Sequence, residues 1–326
     1  MAMNKYLLNI IFLVVLHFHV QGQDVFFSQF FNNILYLNPG YAGSAHQARI
    51  SAAYRNQMPA LGSPYVTYNA SYDQPVKALQ GGLGINIMND AQGPALNRIS
   101  ADAIYSYFLA VNNRLTLHAG FQASYVYRFL RRSELVFPDQ LTDPSGISQE
   151  SVGDISKGYP DFAIGFVAIS RVAYGGISMH HLARPNLSFS GADGYSVPRK
   201  LTVHGGMFFS VYEKRLGKEA LKLNPNFVYL HQAGFRQINY GLDIIYKDIY
   251  AGIWLRHSLD FAVNAFVLHL GYEHEYFRFG YSHDFNVSGT WTNMPNMGAH
   301  ELTFLMKLTY ERGPRDRFRT IKSPKI

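Results

Sequence analysis

From Asn113 the chain alternates with a period of two. Leu115, Leu117, Ala119, Phe121, Ala123, Tyr125, Tyr127 and Phe129 interleave with Arg114, Thr116, His118, Gly120, Gln122, Ser124, Val126 and Arg128. That period puts one chemical class on each face of a strand. It recurs in Phe277, Phe279, Tyr281, His283 and Phe285 against Tyr276, Arg278, Gly280, Ser282 and Asp284, and in Ile238–Tyr246 and Leu302–Tyr310. Read this way, the whole chain predicts fourteen strands, at 48–57, 64–73, 81–90, 97–110, 113–129, 160–170, 172–183, 199–212, 221–231, 235–247, 248–257, 262–274, 275–286 and 300–311. Pro225, with Lys222 and Asn224, predicts a bulge or a shortened strand at 221–231.

Most of these segments exceed the roughly 5–6 residues usual for soluble sheets. Their connections sort by parity. Of the six even-numbered ones, running Asp73 to Gly81, Val111-Asn112, Ser170-Arg171, Glu213 to Ala220, Lys247-Asp248 and His274-Glu275, four are near-minimal turns, and the long insertions Leu130–Tyr159, Ala183–Pro198 and Asn286–Ala299 all fall on the other side. An even strand count with short turns on one rim and long loops on the other is the pattern of an outer-membrane barrel. A soluble β-sandwich would also alternate, but it would give no reason for the parity. Tyr and Phe near strand ends (Tyr65, Tyr72, Tyr127, Phe129, Tyr212, Tyr246, Tyr250, Tyr272, Tyr276, Tyr310) fit interfacial girdles.

Composition sharpens this picture. Among 326 residues there is no cysteine, 15% are aromatic and only 16% are charged, with a formal net charge of +7. Disulfide scaffolds and thiolate metal sites are excluded, and disorder and coiled coils are disfavoured. A mean hydropathy of −0.08 suits a wall in which only alternate residues are apolar. Residues 1–22 read as an export signal: Lys5, an apolar run from Tyr6 to Phe18, then Val20-Gln21-Gly22, with cleavage expected before Gln23. The apolar run is too short for a spanning helix.

Specific motifs follow. Phe26-Phe27-Ser28-Gln29-Phe30-Phe31, Tyr36-Leu37-Asn38-Pro39-Gly40-Tyr41-Ala42-Gly43 and Tyr54-Arg55-Asn56-Gln57-Met58-Pro59 are joined by Ser71-Tyr72-Asp73, Gly82-Leu83-Gly84, Phe137-Pro138-Asp139-Gln140 and Pro160-Asp161-Phe162. With these motifs the chain resembles the PorP/SprF outer-membrane proteins of the type IX secretion and gliding machinery of Bacteroidota. Met58 replaces the usual aromatic, Val25 a common proline, and a tail follows the last strand. The resemblance implies an all-β, FadL-like transmembrane antiparallel barrel of about fourteen strands in the outer membrane. It also implies a non-enzymatic role: binding or anchoring a secreted adhesin through its type B C-terminal domain, alongside other type IX components and outer-membrane lipid. It marks Phe27, Ser28, Gln29, Phe30, Asn38, Pro39, Tyr54, Arg55, Gln57 and Pro59 as family-motif positions. No cofactor is implied, and nucleic acid is not an expected partner. The competing function is a FadL-like channel for hydrophobic small molecules, which would need a lateral gap and an apolar luminal pocket.

The remaining expectations come from the residues. Segment 23–46 is too irregular for a strand yet rich in Phe and Tyr, which predicts a luminal plug; the alternative is a periplasmic arm. Residues 47–311 form the barrel, and 312–326 a basic periplasmic tail. Arg49, Arg55, Asp73, Asp90, Arg98, Asp102, Arg114, Arg128 and Asp243 are placed inward, and charges of both signs predict mutual pairing rather than an ion-selective ring. In the loops, Asp139 and Asp143 are weak calcium candidates, while Phe189, Tyr195 and Trp291 are candidate partner anchors or rim residues. His180-His181, on one strand, should face opposite sides and so share no metal. No hydrolase, metalloprotease or phosphate-loop motif occurs in its required context.

Overall fold

The computed structural model describes residues 24–45, 47–60, 64–135, 137, 155–189, 195–213, 220–259, 263–287 and 298–308. The export signal, Asp139, Asp143, Trp291 and the basic tail lie outside them.

Fifteen strands form one antiparallel sheet: β1 (Ala48–Gln57), β2 (Tyr65–Val76), β3 (Gly81–Gln92), β4 (Leu96–Asn112), β5 (Leu115–Leu130), β6 (Ile155–Ser170), β7 (Ala173–His180), β8 (Lys200–Met207), β9 (Phe209–Glu213), β10 (Ala220–Gln232), β11 (Phe235–Tyr246), β12 (Ile249–Ser258), β13 (Val263–Glu273), β14 (Phe277–Asn286) and β15 (Ala299–Leu308). Each pairs with its sequence neighbours except β8 and β9, which both pair with β10. β15 closes on β1, with Tyr54 opposite Leu302. β8 and β9 both lie along β10 and are two halves of one wall strand broken at Phe208, so the cylinder has fourteen wall positions. A single chain with an even number of strands can close without leaving an edge.

The break explains how a proline sits inside the wall. Pro225 keeps its register with Leu242 on the β11 side. On its other side it faces the gap between the β8 ladder, which begins at Asn226, and the β9 ladder, which ends at Leu223. Its missing N–H is therefore not required. The expected irregularity does occur in this strand, but between Leu221 and Lys222.

Alternation resolves into two surfaces. Ile85, Ile87, Leu109, Phe121, Tyr125, Phe166, Leu270, Phe279 and Phe304 are exposed on the outside, while Asn69, Asn86, Ser106, His118, Asp161, Thr202 and Asn239 are buried inside. An apolar outer face and a polar inner face are the division expected of a membrane barrel. Several expected placements change. Arg114 lies exposed in the β4–β5 turn, because β5 begins at Leu115 rather than at Asn113. Tyr250 is inward and buried, sharing its face with Gly252 and Trp254 rather than joining a girdle. β6 begins at Ile155, before the expected start at 160.

Candidate functional site

Residues 24–45 run along the inside of the wall. Local chemistry keeps them out of strand geometry: two 3-10 turns, Phe30–Asn32 and Pro39–Tyr41, flank one helical turn at Ile34–Leu37. Asn38 caps the second 3-10 turn, its Oδ1 accepting from Gly40 N at 2.8 Å, with Pro39 at the first helical position. Phe27, Phe30, Phe31, Ile34, Leu35, Leu37, Tyr41 and Ala42 are all buried.

The segment spans the lumen lengthwise. Asp24 and Ser28 contact residues near the rim bearing the long connections. Tyr41–Ser44 reach Arg49 and Asp73 near the rim of short turns.

At the loop end the attachment is ionic. Arg55 bridges Asp284 at 2.8 Å and Glu301 at 3.0 Å, and Arg256 adds a second cation on Asp284 at 3.1 Å. Ser28 fits into this array: its backbone N–H donates to Glu301 at 2.8 Å and its hydroxyl to Asp284 at 2.7 Å. Gln29 N–H donates to the other Glu301 oxygen at 2.9 Å. One carboxylate thus holds two successive backbone amides. Asn32 donates to Thr303 at 2.8 Å and accepts from Arg278 at 3.3 Å.

A second ionic group fixes the start of the segment. Asp24 lies 2.6 Å from His181 Nε2, 3.0 Å from Lys200 and 3.5 Å from Arg98, while His181 Nδ1 meets Asp161. Burial alone would raise the Asp24 pKa, but the three cations outweigh it and hold the carboxyl well below its ordinary value. Burial likewise disfavours charged His181, yet Asp24 and Asp161 raise its pKa above the ordinary imidazole value. This arrangement corrects the expectation for His180-His181. β7 ends at His180, and a positive φ of 60° at His181 breaks the period of two, so both rings are buried. Among the described residues they join no metal-binding group of three or more His, Asp or Glu.

At the turn end the attachment is mainly a fit, with one ion pair beside it. Gly82, Ser106, Gly120, Gly165, Ser178 and Thr202 stand opposite one another across six consecutive strands, forming an inward belt of small side chains. Asn38–Ala42 lie in it. Asn38 Nδ2 donates to the carbonyls of Phe166 and Ile177 at 3.2 and 3.1 Å. Ser106 donates to Gly40 O at 2.9 Å, and Ser178 to Leu37 O at 2.8 Å. A Cβ at Gly120 would overlap the backbone of Pro39 and Gly40, and one at Gly165 the side-chain amide of Asn38. Arg49, paired with Asp73 at 2.7 Å, donates to Tyr41 O, and Asp73 accepts from Gly43 N.

Between the ends, Phe30 and Phe31 pack on Trp254, with ring centroids 5.1 and 6.4 Å apart. Trp254 in turn donates to Asp243 at 2.9 Å.

The motif residues divide accordingly. Phe27, Ser28, Gln29, Phe30, Asn38, Pro39 and Arg55 meet inside the lumen. Tyr54 faces outward and packs on Tyr68 at 5.3 Å. Gln57 ends β1 and Pro59 lies in the next connection; neither has a side-chain hydrogen bond to the segment among the described residues. Sequence reading did not single out Asp284, Glu301, Arg256 or the small-residue belt. The belt had a signal, an inward Gly or Ser on each of five strands, but it becomes visible only once register is known.

A family model described as "Type IX secretion system membrane protein PorP/SprF" matches residues 19–306. A search of curated proteins returned no match. Among solved structures, Omp33 of Acinetobacter baumannii shares 8% identity over 82% of this chain and 100% of that one, with a TM-score of 0.46. A Pseudomonas aeruginosa FadL homologue shares 11% over 83% and 92%, at 0.44. The Pseudomonas putida toluene transporter TodX shares 10% over 87% and 94%, also at 0.44.

Proposed function

We propose, from the premise that this chain belongs to the PorP/SprF family of type IX secretion system membrane proteins, that it binds or anchors secreted cargo at the cell surface without catalysis. The cargo class is an adhesin carrying a type B C-terminal domain. The family assigns the chain to the outer-membrane part of the secretion system. An export signal at 1–22, cleaved before Gln23, would deliver it there.

In this reading residues 24–45 are a resident plug, and the barrel is a rigid platform whose long connections meet the partner. The observation that supports it is the buried course of residues 24–45 along the inner face of the wall. Two partly open cavities beside the segment, among the described residues, hold about 70 and 30 Å³. A cavity of roughly 150 Å³ is the scale that admits benzene, so neither suits a hydrophobic cargo. A larger depression of about 590 Å³ is lined by Phe227, Tyr240, Leu242 and Ile253, which belong to the exposed, lipid-facing surface. Several charged luminal groups are paired, Arg49 with Asp73 and Arg55 with Asp284 and Glu301, while Asp90 and Asp102 bond neutral Thr67, Gln92 and Asn86, and the paired groups favour a static lattice over a conduction path.

Two measurements test the proposal. Deleting the gene should release the adhesin from the cell surface into the medium. The purified barrel in planar bilayers should show no steady conductance and no saturable uptake of monoaromatic or acyl ligands. Surface retention of the adhesin without the barrel would refute the anchoring role, and ligand flux through the intact protein would favour the channel.

A further inference from the structure

Outside the lumen, one pair of side chains has no role in the reading above. His283 on β14 and His300 on β15 are direct cross-strand partners, and both share the outward parity of Tyr281 and Leu302. Their Nδ1 atoms face each other at 3.3 Å, with ring centroids 4.4 Å apart. The Tyr281 hydroxyl lies 2.8 Å from His300 Nδ1. Three atoms with lone pairs therefore converge at one point on the outer wall, near the loop-bearing rim.

That spacing has a chemical meaning. A tetrahedral ion bound at about 2.0–2.1 Å from each of two imidazole nitrogens holds them roughly 3.3 Å apart. The strand pairing supplies this distance without rearrangement. Next in the same row, Asn56 on β1 is the register partner of His300, and its Oδ1 is buried with no hydrogen-bond partner. Cross-strand neighbours place side chains within about 5 Å of one another, so this unpartnered oxygen adjoins the histidine pair.

We infer that His283 and His300 form a chelating site for a divalent transition ion of the Cu²⁺ or Zn²⁺ class, with Tyr281 or Asn56 completing the coordination. Imidazole nitrogens suit these ions, whereas calcium and magnesium prefer carboxylate oxygens, which the cluster lacks. One coordination position remains open to water or to a donor from outside, as in sites that exchange ligands.

The test uses the full-length processed barrel in detergent micelles, without a polyhistidine tag, titrated with Cu²⁺ and separately with Zn²⁺. One equivalent of Cu²⁺ should bind saturably in the micromolar range, and its electron paramagnetic resonance spectrum should show coupling to two imidazole nitrogens. H283Q and H300Q should each weaken binding by more than about tenfold, the loss that even an outer-sphere partner produces. Y281F and N56A should show which oxygen takes part. Equal binding by wild type and the H283Q/H300Q protein would overturn the site. So would a wild-type spectrum with one nitrogen or none, a result that needs no variant to fold.

Discussion

The two ends of the luminal segment are held by different physics. At the loop end, Ser28 and Gln29 hang on Arg55, Asp284, Arg256 and Glu301, and Asp24 on His181, Lys200 and Arg98. At the turn end, Asn38–Ala42 lie in a groove of glycines and serines that lets the two backbones approach closely, and the single ion pair there, Arg49 with Asp73, holds Tyr41 O and Gly43 N. Ionic attachment in a buried site is strong only while every partner is present and correctly protonated. Close fit has no such condition. The segment is thus pinned at the turn end mainly by shape, with one ion pair beside it, and at the loop end by two ionic groups whose charges can be changed, so opening would start at the loop end.

The largest expected effect comes from Arg55→Ala. It leaves Glu301 without its cation and Asp284 with Arg256 alone, a loss on the order of 3–5 kcal/mol. Heat-dependent electrophoretic mobility should show the lowered stability, and hydrogen exchange should rise at 24–32 before 38–44. If both halves opened together, the distinction between the two ends would be broken.

Gly120→Val attacks the other end. The side chain would collide with Pro39 and Gly40, at a cost of about 1–3 kcal/mol, and this loss should not vary with pH. Protease sensitivity should then appear first near Asn38. Asn38→Ala is milder. It removes one cap and two bonds to wall carbonyls, for roughly 1–2 kcal/mol, measured by the same denaturation assay.

The smallest effect is a dependence on pH confined to the loop end. The His181 pKa is raised on folding, so its contribution is complete below the unfolded value of about 6.5 and fades as pH climbs through the raised folded value. The Asp24 pKa is lowered, so its contribution holds above roughly 3.9 and is lost as pH falls through the lower folded value. Exchange protection at residues 24–28 should be greatest between about pH 4 and 6.5. His181→Gln should flatten the alkaline side of that profile while leaving 38–44 unchanged.

Much of the wall was legible in advance because it is written in local code. A period of two marks strand and face, and short turns alternating with long connections fix the even count, so β1–β7 and β10–β15 fall near their expected places. The signals that failed were also local ones overridden by contacts. His181 left its face through a single positive φ, Tyr250 turned inward with its strand, and Phe208 split a strand that read as continuous.

By itself the sequence determined a closed cylinder with apolar groups outside and polar groups within, since alternation and turn chemistry act between neighbouring residues. Only the tertiary structure decided which inward residues meet. Ser28 with Glu301, Asp24 with His181 and Asn38 with the carbonyls of β6 and β7 are separated by more than a hundred residues each. Such meetings depend on strand register around a closed ring, a quantity fixed by the whole cylinder and written in no single segment.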